Sequence, residues 1–552
     1  MSKSTAVEDE IAPVPERAEE QTRREKAAEF LASHEDTSFT YEEEKAVLRR
    51  VDCRILPLLL GAYFFQQLDK STLSYTSVFD IVSGAHLVGN EYSWLGSVLY
   101  LAQLVMQPAM AFLLVKFPNG KVLSSAILCW GAALSIMTAC TSFHSLLGMR
   151  FVLGCFEAMI APCCVAFTQT WWRRSEQTMR TSYWSAMNGV TLMIGSLFTY
   201  GLGHIDSANM FKYQIIFLFC GLLTVAYSFV VFILVPDSPM EAKFLTDRER
   251  VIATERLRAN QMGITSRKWR WDHVWETATD VKTYLWFIAV TSISIASGGI
   301  TTFGSLIVKS FGYSSFTTIL FNIPFGAIQL ISILGTAWFA KRFQCKGLVI
   351  AFNSVLPSIG AIIMLTVSRK NKGVLLFGYY LVSCLASITP LIFNWSSSNT
   401  AGDTKKKCTS AVVFIGMCVG NVIGPLLYST DQAPLYRKGL IADLCMFVVV
   451  GVVSGLIPIY LKYLNRRHAA RRQQLGKSVA IIDESMASGA NKDKLEESRK
   501  AVEVEDVREA EKGARDVNGA AAGPGAQHRS LEEDNALHDV TDLKNEDFIY
   551  VY

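Results

Sequence analysis

The stretch YFFQQLDKSTLSY, residues 63–75, sets an aspartate beside a lysine, Asp69 and Lys70, inside a segment otherwise built like the middle of a membrane span. The apolar block around it, 55–78, has the length a helix needs to cross about 30 Å of hydrocarbon. An uncompensated charge at that depth costs from about 3 to over 10 kcal/mol, so two of them ask for a task.

Blocks of the same kind recur along the chain. They fall at 55–78, 93–116, 121–140, 146–168, 183–205, 212–235, 283–308, 315–340, 347–367, 374–395, 408–428 and 440–464. Half of the 552 residues are hydrophobic and 18% are charged, and mean hydropathy is positive. Those values describe a polytopic membrane protein rather than a string of soluble domains. The expected fold class is all-α, with twelve transmembrane helices. Residues 1–50 hold no apolar stretch, so the first span acts as the insertion signal.

An even number of spans puts both termini on one side. Loops on that side carry about 20 Lys and Arg against about 7 on the other, so both termini are expected in the cytosol. One loop disagrees, since 368–373, SRKNKG, places three cations outside. The net charge of +4 is too small and too mixed for a nucleic-acid partner. The 12 cysteines lie in or beside spans, which leaves no disulfide or zinc framework. No metal, cofactor or catalytic group is expected.

The expected organisation is a largely disordered tail over 1–52, with a short surface helix in EEEKAVLRR. A six-helix unit over 53–235 follows, then a central loop over 236–282 with an amphipathic helix, a second six-helix unit over 283–464, and a disordered tail over 465–552. After its second span the first unit reads LLVKFPNGKVL and the second reads WFAKRFQCKGL. Both follow Lys-x4-Lys-x-Leu, at 116/121/123 and 341/346/348. That repeat at equivalent positions of two equal halves supports an internal duplication. Two such halves with a site between them at mid-membrane describe the major facilitator type of secondary transporter, which works by rocking one half against the other. Lys116, Lys121, Lys341 and Lys346 would then sit on the cytosolic rim as gate contacts, although cations flanking spans also follow from orientation alone.

Four ionisable side chains lie well inside the spans: Asp69 and Lys70 in the first, Arg150 and Glu157 in the fourth. Spans 7 to 11 carry none, and span 12 only flanking ones. Arg150 and Glu157 are two turns apart, about 10 Å along one helix face, so both can line one cavity and each needs another partner. One reading makes them structural, with Asp69 paired to Arg150 and Lys70 to Glu157. The other gives each a task. A carboxylate in low dielectric takes up a proton near neutral pH, and a guanidinium stays charged and grips a carboxylate with two prongs.

QQLDKSTLSY, MRFVLGCFEAMIAP, WWRRSEQTMRTSYWSAMNG, VPDSPMEAKFLTDRER and NTAGDTKKKC…GMCVGNVIGP, in that order over about residues 45–465, resemble the fungal allantoate permease family of the anion:cation symporters. The resemblance implies proton-driven uptake of a small organic anion such as allantoate, ureidosuccinate, nicotinate, pantothenate or biotin. It implies that Asp69 and Glu157 carry the proton, and that Lys70 and Arg150 serve the anion. The chain departs from the family at Asp403, where relatives often show His, and in KFPNGK, which lacks the usual acidic residue.

Polar side chains that could complete the substrate site are Gln67, Tyr100, Gln103, Asn188, Asn322, Asn394, Trp395 and Asn421. Such groups also serve simply to bond neighbouring helices. Gly61, Gly96, Gly148, Gly154, Gly420 and Gly424 are expected to permit close helix approach, and Trp171 and Trp172 to anchor at the interface. The expectation is a monomeric plasma-membrane symporter whose partners are a small anion and the lipid bilayer, with the proton as coupling ion. An exporter or facilitator of a metabolite, or a transporter-like nutrient sensor, are the alternatives. A membrane enzyme is disfavoured, because no His/Asp pair, phosphate loop or metal cluster lies at membrane depth.

Overall fold

A computed structural model describes residues 40–207, 209–258, 270–343, 345–475, 540–546 and 548–552. The expected disorder of the first tail and of most of the second, and the end of the expected amphipathic loop helix, fall outside the described residues.

Among these residues the chain is helical throughout. The first half comprises α1 (Tyr41–Val78), α2 (Glu91–Lys116), α3 (Asn119–Ile136), α4 (Phe143–Glu157), α5 (Ile160–Trp171), α6 (Arg174–Leu202) and α7 (Lys212–Leu234). Two helices of the central loop follow, α8 (Asp247–Arg258) and α9 (Trp271–Thr279). The second half holds α10 (Val281–Lys309), α11 (Ser315–Leu320), α12 (Asn322–Phe343), α13 (Lys346–Thr366), α14 (Lys372–Val382), α15 (Ile388–Ser398), α16 (Asp403–Leu426) and α17 (Arg437–Gln474). Nine of the helices, counting pairs that continue across a short break, are long and apolar enough to cross a membrane.

EEEKAVLRR is not a separate surface helix. It is the first two turns of α1, started by a capping box in which Thr40 and Glu43 satisfy each other's backbone N–H groups. Likewise α17 runs on to Gln474, well past the span edge read from hydropathy.

The fourth span of each half is broken. Between α4 and α5 the carbonyl of Glu157 accepts from Gln66 Nε2 at 3.3 Å, and that of Ala158 from Gln107 Nε2 at 3.5 Å. Between α14 and α15 a 3-10 turn over Ser383–Ser387 leaves the Cys384 carbonyl to Asn353 Nδ2 at 3.1 Å. Backbone groups freed at membrane depth must find a partner, and here amide side chains of neighbouring helices supply it. Breaks in corresponding helices are what a duplicated transporter half carries where its site lies.

The halves meet most closely where α6 crosses α12. A side chain at Gly326 would place its Cβ 2.5 Å from the Gly189 carbonyl, and one at Gly189 would strike the Gly326 carbonyl. Gly154, Gly420 and Gly424 abut the backbone of a neighbouring helix in the same way, as expected. Gly148 does not, for nothing lies within 4 Å of its would-be Cβ.

At the end away from the termini the halves are bonded shut. Tyr92 OH donates to Thr302 O at 2.8 Å, Ser93 Oγ to Tyr428 O at 2.8 Å and Ser97 Oγ to Val422 O at 2.7 Å. Lys309 Nζ and Ser315 Oγ both donate to Val78 O, at 2.6 and 2.8 Å.

At the end that carries the termini, α8 is tied to the first half through Arg256, which pairs with Glu176 at 2.6 Å and Glu44 at 3.5 Å. Trp171 and Trp172 are buried there instead of anchoring at the interface, and Trp172 Nε1 donates to Asp52 at 2.7 Å. Asp237, in the VPDSP motif, accepts from the Gly120 N–H at 2.9 Å and so provides the loop with the acidic contact that KFPNGK lacks.

Candidate functional site

Consecutive helical residues point about 100° apart, so Asp69 and Lys70 leave α1 in different directions. Lys70 reaches across to α4, where its Nζ lies 3.9 Å from Glu157 Oε2, and stands 5.7 Å from the centre of the Tyr100 ring. Asp69 turns the other way, into the packing between α3 and α7. There its Oδ2 accepts from Trp130 Nε1 at 2.6 Å and Thr224 Oγ1 at 3.3 Å. Of the two structural pairs considered from sequence, Lys70–Glu157 forms, whereas Asp69 bonds to Trp130 and Thr224 rather than Arg150.

Arg150 is 3% exposed, and its Nε and Nη2 have no hydrogen-bond partner. It lines a cavity of about 20 Å³ together with Lys70, Leu73, Gly96, Leu99, Tyr100 and, from the other half, Thr301 and Thr302. That volume holds about one water. The Tyr92–Thr302 hydrogen bond links the two halves beside it. Two cations and a phenol thus face one small space shared by both halves. Glu157 sits at the break of its helix, with Gln103 Nε2 at 3.4 Å from Oε2 and its Oε1 without a partner.

Lys70, Arg150, Tyr100, Gln103 and Glu157 are therefore brought together. Gln67 and Asn188 lie beside the Tyr63 hydroxyl, and Asn188 adjoins Gly189 at the crossing of the halves. Asn322 is spent between helices, donating to Ser305 Oγ at 3.4 Å. Asn421 donates to Met417 O of its own helix at 2.8 Å.

Asn394 and Trp395 do not reach the cavity. They lie on α15 at the end that carries the termini, where Asn394 Oδ1 accepts from Lys346 Nζ at 2.6 Å and Trp395 is fully buried against Trp286. Among the four rim lysines, Lys121 and Lys341 are exposed, and the side chain of Lys116 lies outside the described residues. Lys346 is buried and donates also to Ser398 Oγ at 3.1 Å.

Sequence reasoning missed Trp130 and Thr224, whose role shows only once Asp69 is seen to face them. It also read Asp443 as flanking. Asp443 is 1% exposed, and its Oδ2 accepts from Tyr428 OH at 2.6 Å, next to the bond between Ser93 and the Tyr428 carbonyl that shuts the halves. Its signal was present, two turns inside α17.

Residues 59–425 match the Major Facilitator Superfamily. The chain belongs to that superfamily. It is 32% identical over 449 residues to the thiamine pathway transporter THI73 of Saccharomyces cerevisiae, covering 81% of this chain and 83% of that one. It is 29% identical over 457 residues to the allantoate permease of the same yeast, covering 80% and 84%. A Schizosaccharomyces pombe protein described as an uncharacterized transporter is 33% identical over 456 residues, covering 82% and 87%. The likeness to the allantoate permease family read from the motifs stands on these matches, and this facilitator is a transporter rather than an enzyme.

Solved structures agree on the fold. A bacterial homolog of the human lysosomal transporter Spinster superposes with a TM-score of 0.55 at 11% identity, over 73% of this chain and 95% of that one. The xylose transporter XylE from E. coli gives 0.54 at 13%, over 74% and 97%.

Proposed function

We propose that this facilitator imports a small organic anion together with a proton. The observation that carries the reading is Arg150, a permanently charged guanidinium that is buried, has two donors without partners, and faces a cavity shared by both halves. A buried donor without a partner costs about 1–3 kcal/mol, more when charged, and an incoming carboxylate removes that cost with two parallel hydrogen bonds. Lys70 adds a second positive charge to the cavity, and Tyr100 a hydroxyl.

Glu157 is the coupling carboxylate. It balances Lys70 at 3.9 Å when ionised. When Glu157 takes a proton that partner is released, and Lys70 becomes free to meet the anion. Anion binding and proton binding then favour each other, which is the condition for symport. Asp69 is the second proton site, reached through the packing of α1 against α3 and α7.

The anion is a carboxylate of the kind taken by the allantoate permease of yeast, or a vitamin acid. The halves rock about the α6–α12 crossing, with both termini cytosolic, Lys116, Lys121 and Lys341 on the cytosolic rim, and the plasma membrane as location. The protein works as a monomer and needs no cofactor beyond the proton.

The test is uptake of labelled anions by whole cells and proteoliposomes, in wild type and in Glu157→Gln. The amide copies the shape of the acid without carrying a proton. Uptake driven by an acid-outside gradient in wild type, and exchange without pH dependence in the variant, are expected. Outward-driven transport in wild type would replace import with export.

A further inference from the structure

The second tail was expected to be disordered, yet residues 540–546 and 548–552 are folded against the end of the second half that carries the termini. Thr541, Asp542 and Tyr550 are as buried as core residues. Asp542 is ion-paired with Lys282, and its Oδ1 lies 3.0 Å from Lys405 Nζ and accepts from the Ala401 N–H at 3.2 Å. Tyr550 OH donates to Asp542 Oδ2 at 2.9 Å, and Lys282 Nζ stands 4.5 Å from the centre of the Tyr550 ring. Asp542 and Tyr550 thus complete an ion-pair network at the starts of α10 and α16, where Asp280 lies 3.2 Å from Lys282 and 2.8 Å from Lys405, and Glu276 lies 2.9 Å from Lys405.

The backbone is held as specifically as the side chains. Asn465 of α17 accepts from the Tyr550 N–H at 2.9 Å and donates to the Tyr550 carbonyl at 2.9 Å. Asn399, just beyond α15, does the same for Val551, at 2.8 and 2.9 Å. Trp395 Nε1 adds a second donor to the Val551 carbonyl at 2.8 Å, and the Lys346 N–H donates to Tyr552 O at 2.6 Å. Two asparagine amides that pair with both backbone groups of successive residues, one amide at each edge, reproduce what flanking strands do for an extended peptide. Neither asparagine lines the cavity at Arg150, and Asn399 also donates to the carbonyl of Trp395, a residue expected from sequence to serve the substrate.

We propose that the helix ends of the second half form a peptide-binding site, with Asn399 and Asn465 reading the backbone and Lys282 and Lys405 reading an acid, and that its ligand is the chain's own acidic, aromatic segment 540–552. Occupancy ties the ends of α10, α13, α15, α16 and α17 into one unit. Lys346 and Trp395 belong to this site and not to the anion path.

Hydrogen–deuterium exchange on the purified full chain tests the proposal. The amides of Tyr550 and Val551 should exchange at least about tenfold slower than in the free peptide VTDLKNEDFIYVY. In Asp542→Lys, and separately in Asn465→Ala, that protection should disappear while peptides of α3 and α7 keep theirs. The same synthetic peptide, fluorescently labelled, should bind the Asp542→Lys protein saturably, and a peptide with Lys in place of Asp542 should bind at least about tenfold more weakly. Free-peptide exchange rates in the wild type, unchanged protection in both variants, or peptide binding indifferent to the Asp542 replacement would each overturn it.

Discussion

Arg150→Lys separates charge from geometry at the heart of the site. The substitution keeps one positive charge in the cavity, and with it the balance against Glu157, but it replaces the planar fork with a single ammonium. Two donors are now unpartnered, Nε and Nη2, and they are the pair a carboxylate would take. The ammonium still donates one hydrogen bond, so at about 1.5 kcal/mol for a hydrogen bond to a charged group the one that is lost costs about 1.5 kcal/mol. That is about tenfold in affinity at about 1.4 kcal/mol per decade. The assay is competition between labelled and unlabelled anion in proteoliposomes, using whichever of allantoate, nicotinate, pantothenate or biotin the wild type carries. Expected are an apparent KM raised by about tenfold, a pH dependence like that of wild type, and normal surface expression. A KM within threefold of wild type would mean that the guanidinium does not grip the anion, and the buried Arg150 would then be structural.

Glu157→Gln should retain anion exchange across a membrane with equal pH on both sides while losing accumulation against a gradient, measured as counterflow against net uptake. Trp130→Phe removes the donor 2.6 Å from Asp69, and the under-bonded buried carboxylate should lower stability by about 1–3 kcal/mol, read as a reduced melting temperature, with little change in anion affinity. Gly326→Val sets a methyl group against the Gly189 carbonyl, where even Cβ would lie at 2.5 Å, and should stop transport without blocking surface expression, as counted by labelling of intact cells. Burial pushes the Asp542 carboxyl up, but the Lys282 and Lys405 ammonium groups beside it outweigh that and hold it below the usual carboxylate value. A depressed folded-state value stabilises above the unfolded one, near 3.9, and the stabilisation is lost as pH falls through the folded value. His468, whose Nδ1 lies 3.0 Å from the Phe548 carbonyl, is held by burial below the usual imidazole value, so exchange protection of Tyr550 and Val551, corrected for intrinsic rates, should be the same at pH 8 and pH 7.

Much of this was legible because hydrocarbon is an exacting solvent. Apolar length marks nine of the twelve expected spans among the described residues, and the cost of buried charge singled out Lys70, Arg150 and Glu157, which do converge. Helical geometry also held the answer for Asp69: a residue next to Lys70 points elsewhere, so only one of the two could face the cavity. What could not be read was anything that depends on a distant partner. The cover of Trp395 by the tail and the capture of Asp542 between two lysines join segments more than a hundred residues apart, and Lys346 meets Asn394 across 48 residues. The segment 540–552 is short and follows a long polar stretch, and its closing FIYVY is too brief to announce a fold without the partner it packs against. Asp443 was passed over because it lies near the start of its span, where a charge is ordinarily solvated; burial against Tyr428 shows only in three dimensions.

Net uptake measured with and without a protonophore bears most directly on proton-coupled import. Cells expressing this facilitator are given labelled allantoate, nicotinate, pantothenate and biotin at acid external pH, with Glu157→Gln cells alongside. Proton-coupled import requires that one anion be accumulated, that the protonophore abolish the accumulation, and that the variant fail to accumulate it. Accumulation that survives the protonophore, or that persists unchanged in the variant, would contradict it.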